Sequence, residues 1–312
     1  MKRIRVAQGK QKGDAGIPLA PLETFHVVAR HQSFSQAGKQ LGISQPAVTQ
    51  QIRRLERSLG LMLFDRTGRG VVLTDAGKTL DGFAQRIFSL LDAARDAMSN
   101  LTGLQTGHLE IGASRTAGAY YVAELLDGFK KRYPGVRVSL TVGNSESILA
   151  KVLDFTLHAG LIAGPSDDPH LTSAPVIRDQ MLVILPPGHA LAGHSVIAIP
   201  DLREHPLILR EPGSATRRQI EQAFRAHGLV VTPTMELESN EAIKSAVADG
   251  IGVAIMAHAA VAQEVSAGRL ITRPLRESLT LDFSLIYHRD RILSPVVAAF
   301  LALAPSAAPR GR

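Results

Sequence analysis

The stretch Phe34–Leu55, FSQAGKQLGISQPAVTQQIRRL, decides how the N-terminal third of this chain is read. Apolar residues fall at Ala37, Leu41, Ile43, Val48 and Ile52, the spacing that lets two short helices clasp through a tight turn at Gly42. Ser35 is placed to cap the first helix. Ser44 is placed to cap the second, with Pro46 in its first turn, where a missing N–H costs nothing. The pattern is a helix-turn-helix. On its second helix Gln45, Thr49, Gln50, Arg53 and Arg54 are not needed for the core. Gln and Arg read adenine and guanine edges bidentately in a major groove, and Thr meets a thymine methyl.

Outward from this stretch, Phe64–Leu73 alternates and turns at Gly68-Arg69-Gly70, as a β-hairpin wing does, placing Arg66 and Arg69 for phosphates or a minor groove. From Thr74 to about Leu104 one long helix is expected. Leu80, Phe83, Ile87, Leu90, Ala94, Ala97 and Leu101 follow a 3-4 spacing along it, a seam that calls for a partner helix. Pairing with a second copy is the first reading, and packing onto the chain's own C-terminal part is the other.

Charge agrees with this division. The net charge is +7, and residues 1–105 carry all of it, with 15 Lys or Arg against 8 Asp or Glu. Residues 106–312 hold 20 of each. Such asymmetry suits a segment that meets a polyanion, joined to a larger unit with another task. Five of the basic residues lie in residues 1–18, read as a flexible basic extension.

After Gly107, strands and helices alternate. His108–Gly112, Val136–Val142, Ala159–Ile162 and Met181–Leu185 read as strands. Ala117–Tyr133, Glu146–Asp154, Thr216–His227 and Glu241–Asp249 read as helices. The chain has 312 residues, and 207 of them in this part suit two α/β lobes better than one sheet. A ligand then belongs between the lobes, at strand ends and helix starts. Ser114, Arg115 and Thr116, Asn144 and Ser145, and Ser214 and Thr216 stand at three such starts, where free N–H groups favour a carboxylate, phosphate or similar oxyanion. Simple capping explains the same Ser and Thr residues. Arg115 is open to two readings, a counter-charge for the ligand or a side chain in solvent.

The sequence also excludes much. Cysteine is absent, which removes disulfides, thiolate metal sites and thiol redox switches. No apolar run reaches membrane-spanning length, so no membrane partner is expected. The eleven histidines show no metal-ligand spacing, and no P-loop, G-x-S-x-G or G-x-G-x-x-G occurs. Neither enzyme activity, a metal nor a cofactor is expected. An architectural DNA-binding protein is the alternative function, but it has no need of the neutral C-terminal part, while a free-standing solute receptor leaves the basic helix-turn-helix unexplained.

Residues 19–78 resemble the winged helix-turn-helix of LysR-type transcriptional regulators. Leu55-Glu-x-x-Leu-Gly60, Leu63-Phe-x-Arg66 and Leu73-Thr-x-x-Gly77 occur in that family's order. The resemblance continues through Gly112-Ala113-Ser114, Arg132-Tyr133-Pro134, Gly143-Asn144-Ser145 and Arg210-Glu211-Pro212-Gly213-Ser214. It implies a mainly α winged helix-turn-helix (19–78), a dimerisation helix (79–105) and a two-lobed, periplasmic-binding-protein-like α/β effector domain (106–312). Lobe I then takes about 106–178 and 271–305, and lobe II about 179–270. The resemblance also implies a cytoplasmic bacterial regulator, nucleoid-associated when bound to double-stranded promoter DNA. It implies a homodimer or homotetramer that contacts RNA polymerase and answers to an organic acid or other anion. Ser33, Ser35, Gln45, Pro46, Thr49, Arg53, Arg54, Arg66 and Arg69 then face DNA. Gly38, Thr49, Ala215 and His158 depart from the family's usual Ala, Ser, Gly and Asp. Gly38 is expected to loosen helix packing by up to about 1 kcal/mol, and His158 bears on the charge of the ligand cleft.

Overall fold

In this computed structural model, residues 16–67, 70–99 and 106–303 are described. They form two units that divide between Ala94 and Arg95. The basic extension through residue 15, Gly68 and Arg69 of the wing, the expected linker with Leu101, and the last nine residues lie outside them.

The first unit builds on α1 (Leu19–His31), α2 (Phe34–Leu41) and α3 (Gln45–Leu59). Leu22, Phe25 and Val28 from α1, Ala37 from α2, and Val48, Ile52 and Leu55 from α3 are buried together with Leu63, Phe64 and Ala84. Each fully buried large side chain contributes about 1.5–3 kcal/mol. Gly42 ends α2 at φ 65°, the left-handed conformation the tight turn needs. The cap of α2 is Ser33, whose Oγ accepts from Gln36 N at 3.3 Å. Ser35, expected as that cap, is an exposed residue inside the first turn. Ser44 caps α3 as expected, accepting from Ala47 N, with Pro46 in the first turn. Gly38 is no loose spot, since a Cβ there would stand 2.8 Å from the Ile43 carbonyl oxygen. The close approach of the turn to α2 depends on its missing side chain.

The wing is the antiparallel pair β1 (Phe64–Thr67) and β2 (Gly70–Leu73), with Thr67 opposite Gly70. The helix α4 follows as Asp75–Ser99. One backbone position ties the parts together. Leu63 N donates to the buried Glu56 Oε1 at 2.9 Å, and Leu63 O accepts from Thr74 N at 3.0 Å. Thr74 Oγ1 donates to Met62 O and accepts from Gly77 N. A Cβ on Gly77 would lie 2.1 Å from Leu63 O. Glu56, Leu63, Thr74 and Gly77, drawn from the three quoted motifs, thus all serve the entry into the wing.

The second unit opens with β3 (Gly107–Ser114), α5 (Arg115–Tyr120), α6 (Val122–Arg132), β4 (Val136–Gly143), α7 (Ser145–Leu153) and β5 (Ala159–Ala163). β3 lies between β4 and β5, parallel to both. The single helix expected over Ala117–Tyr133 is broken at Tyr121, at φ −125°, where the side chain leaves to bond Asp179 Oδ2 at 2.5 Å.

Next comes β6 (Leu171–Leu185), the joint of the unit. It is followed by β7 (Ile208–Arg210), α8 (Ala215–Ala226), β8 (Met235–Leu237), α9 (Asn240–Ala248), β9 (Ala254–Ala257), α10 (His258–Ser266), β10 (Ile271–Pro274), β11 (Thr280–His288) and α11 (Pro295–Leu303). Residues 171–180 of β6 pair with β11, which also pairs with β5 in lobe I. Residues 181–185 pair with β9 and β10 in lobe II. The two lobes therefore hang on one continuous strand. Residues 271–274, expected in lobe I, pair with Leu182–Leu185 of lobe II; lobe I resumes at β11. Asp179 marks the crossing, since its Oδ2 accepts both from Tyr121 of lobe I and from Ala259 N at the start of α10 in lobe II.

Candidate functional site: a recognition helix and an interlobe cleft

On α3, Gln45, Pro46, Gln50, Arg53 and Arg54 are exposed, and Thr49 is half-buried. Gln45 Nε2 donates to Thr49 Oγ1 at 3.0 Å, and that hydroxyl donates to Gln45 O, so the two side chains form one preset group on the outer face. Ser33 is partly buried at the α2 cap, beside the exposed Ser35. Arg66 sits on β1 in register with Val71; its side chain, like Arg69 as a whole, lies outside the described residues.

Two faces of α4 behave differently. Leu80 and Phe88 pack, half-buried, against the core around the fully buried Ala84. Leu80 thus turns inward, contrary to its expected place on an outer seam. Phe83, Ile87, Leu90, Leu91 and Met98 are exposed apolar side chains, Phe83 at 59% and Met98 at 65%.

In the second unit the expected helix starts do not serve alike. Asn144 Oδ1 accepts from Ser147 N and Ser145 Oγ donates to the Ala163 carbonyl, so these two oxygens serve lobe I itself. Ser214 and Thr216 are buried at the start of α8, and the Ser214 side chain makes no capping bond. The start of α5 is different again. Ser114 is 4% exposed and its Oγ, though buried, has no hydrogen-bond partner. α5 spans only six residues, so backbone dipoles add little there.

Lobe II meets this point directly. Arg115 Nη2 lies 2.9 Å from Glu238 Oε2, and its Nε 3.4 Å from Glu211 Oε1. Of the two readings left open for Arg115, the side chain in solvent does not describe it: it is ion-paired across the cleft. Glu211 is gripped from its other side by Arg210, Nε to Oε2 at 2.8 Å and Nη2 to Oε1 at 3.1 Å. Arg210 Nη1 donates to Asn240 Oδ1 at 2.8 Å, and Asn240 Nδ2 donates to Thr116 Oγ1 at 3.4 Å. Gly213 stands where a Cβ would touch Asn144 Nδ2 and Glu146 Oε2, each at 3.0 Å. Arg210, Glu211, Glu238 and Asn240 are the site residues that sequence reasoning missed. The first two lay in a quoted motif, but no local spacing tells which side chain reaches across to Arg115.

His158 does not belong to this cleft. Its Nδ1 accepts from Glu110 N at 3.1 Å, four residues before Ser114 on β3 and therefore about 13 Å away along the strand. Burial, then the charges of Arg291 and His108, lower its pKa to about 3, so the ring is neutral. A neutral ring supplies the acceptor that the family's usual carboxylate would.

His170, His288 and Asp290 bring three ligand-type atoms within 4.8 Å of one another. His288 Nδ1 already accepts from Asp290 N at 3.0 Å, so that nitrogen is engaged within the turn. Among the described residues no helix is long and apolar enough to cross a membrane.

Comparison with known proteins bears on both units. Residues 19–78 match the model of the bacterial regulatory helix-turn-helix protein, lysR family, and residues 102–308 match that of the LysR substrate binding domain. The RuBisCO operon transcriptional regulator of Allochromatium vinosum is 32% identical over 94% of this chain and 97% of its own length. A full-length OxyR variant from Pseudomonas aeruginosa shares the fold with a TM-score of 0.75 at 23% identity, over 93% of this chain and 94% of that one. The regulatory domain of Synechocystis CcmR, solved in complex with 2-PG, is 29% identical with a TM-score of 0.60, over 66% of this chain and all of that one.

Proposed function

The chain belongs to the LysR family of bacterial transcriptional regulators, and from that premise we propose how it works as a DNA-binding regulator that answers to a small molecule. The exposed row Gln45, Thr49, Gln50, Arg53 and Arg54 enters the major groove, while Ser33, Ser35 and Pro46 at the helix starts, and Arg66 and Arg69 on the wing, meet the backbone. Phe83, Ile87 and Leu90, continued by Leu101, pair two copies through their α4 helices, and pairs assemble into tetramers. This pairing gives the recognition helices the two-fold symmetry of an inverted-repeat site.

The effector is an anion held between the lobes. The observation that carries this is the buried, unpartnered Ser114 Oγ beside Arg115, with Thr116 and Asn240 bonded to each other across the lobes; the buried Ser214 and Thr216 at the start of α8 are read as part of the same cleft. A ligand complex in the CcmR regulatory domain supports a small molecule at this domain. Asn144 and Ser145 hold the rim by their internal bonds. Binding shifts the population of lobe arrangements, and through the oligomer the bend of the DNA and contact with RNA polymerase. As a regulator of promoters it works in the cytoplasm, on the nucleoid. Thermal-shift screening of the full chain against organic acids and phosphorylated metabolites tests the anion: a stabilising anion lost in Ser114→Ala with Thr216→Ala supports it, and stabilisation only by cations or apolar ligands refutes it.

A further inference from the structure

Arg115 is held by carboxylates of the other lobe on two sides, and it is held imperfectly. Its contact with Glu211 is 3.4 Å long, and its buried Nε makes no hydrogen bond. One residue away, Ser114 Oγ is also buried and unpartnered. Of these two donors, neighbours in sequence, one has no acceptor and the other reaches its carboxylate only at 3.4 Å, so together they keep hydrogen-bonding capacity for an oxygen atom that the protein itself does not supply.

The two carboxylates facing that place differ. Glu238 is 69% exposed and touches only Arg115 among its ion pairs, so it is easily displaced. Glu211 is 10% exposed and fixed by the two-point grip of Arg210, itself 5% exposed. An incoming oxyanion exchanges with Glu238 but cannot expel Glu211. It therefore comes to rest with a fixed negative oxygen, Glu211 Oε1, beside it. Like charges so placed repel unless a proton donor stands between them.

On the reading that the cleft takes an anionic effector, we propose that Glu211 determines its specificity, demanding an anion that carries a hydroxyl next to its charged group. The oxyanion accepts from Ser114 and Arg115, and the hydroxyl donates to Glu211. Plain carboxylates that lack the donor are rejected by the unpaired repulsion, the way a built hydrogen-bonding site rejects an analogue missing its partner group. Glu238 acts as a competitor that the ligand replaces, without discriminating between anions.

The test uses two probes on the full chain, D-glycerate and propionate, which share a three-carbon carboxylate skeleton and differ in hydroxyls, with affinities from calorimetric titration. The wild type is expected to bind glycerate at least tenfold tighter than propionate. Glu211→Gln should bring the ratio to within about threefold by strengthening propionate. Glu211→Asp, which keeps the charge on Arg210 and withdraws it from Arg115, should lower the ratio part way and covers the case in which the amide does not fold. Glu238→Gln should tighten both probes several-fold at an unchanged ratio, and Arg115→Gln should lose both. A ratio that persists in Glu211→Gln or Glu211→Asp, with Arg115→Gln inactive, overturns this proposal alone. Binding untouched by Arg115→Gln, or no binding of either probe by the wild type, overturns it together with the anionic reading of the cleft.

Discussion

Gly77→Ala and Gly82→Ala, two identical changes on one helix, should move stability in opposite directions. Both glycines lie in α4, and helix propensity alone favours alanine at each by about 1 kcal/mol. Gly82 faces open space, so the gain there is undiluted. At Gly77 the new methyl would stand 2.1 Å from the Leu63 carbonyl oxygen and 3.1 Å from its carbon. Ordinary contact begins near 3.4 Å, so helix and wing must part by about 1.3 Å. The same carbonyl accepts Thr74 N at 3.0 Å and the same residue's N–H is held by Glu56, so the strain falls on hydrogen-bonded backbone. Overpacking of this kind costs about 1–3 kcal/mol, and the disturbed bond about 1 kcal/mol more, against the 1 kcal/mol gained. A net loss of about 1–3 kcal/mol corresponds to roughly 5–20 °C in a domain of this size. Scanning calorimetry of the full-length variants reads it from the transition of the DNA-binding unit, identified by its upward shift when DNA is added. Gly82→Ala should raise that transition by a few degrees. Gly77→Ala equal to or above the wild type would refute the close-approach argument.

Other expectations concern recognition, assembly and pH. Gln45→Ala or Arg54→Ala should cost about 1–3 kcal/mol on the specific site and relax preference at particular bases, whereas Arg69→Ala weakens all sequences alike; competition binding with specific and random DNA separates the two, and equal losses in all three variants contradict it. Phe83→Glu places a charge in the exposed apolar row of α4 and should shift the oligomer toward smaller species in analytical ultracentrifugation, with the α4 core contact at Ala84 intact. His158 is neutral when folded, with its pKa held at about 3, and takes a proton near 6.5 when unfolded. Its contribution is therefore complete above pH 6.5 and falls by about 1.4 kcal/mol per unit as the pH drops toward 3. His158→Asn should flatten that part of the profile in denaturant titrations, and an unchanged slope would contradict the assignment.

The helix-turn-helix was legible because its signals are local: the apolar spacing, Ser44 with Pro46 at one end, Gly42 at the turn. The cap of α2 was misplaced by two residues since Ser33 and Ser35 are equally good acceptors in sequence and only backbone geometry separates them. The break at Tyr121 carries no Gly or Pro; it coincides with a bond to Asp179, 58 residues on, which no local pattern reveals. The first ten residues of β6, Leu171 to Gln180, mix Leu171, Val176 and Ile177 with polar residues and Pro175, so no continuous apolar run announced them; they form a strand because β11 pairs with them. In the cleft, the residue types at helix starts were readable, but Glu211 and Glu238 reach Arg115 from about a hundred residues away. The fold brings these together, and periodicity has no purchase on such pairs.

Footprinting on the promoter upstream of the chain's own gene, with and without a stabilising anion from the thermal-shift screen, tests the central claim most directly. Two protected half-sites with centres about one helical turn apart or a multiple of it, and a pattern of protection that changes when the anion is added, are predicted. No protection of promoter DNA, or a footprint indifferent to every anion that binds the chain, would contradict a regulator governed from its interlobe cleft.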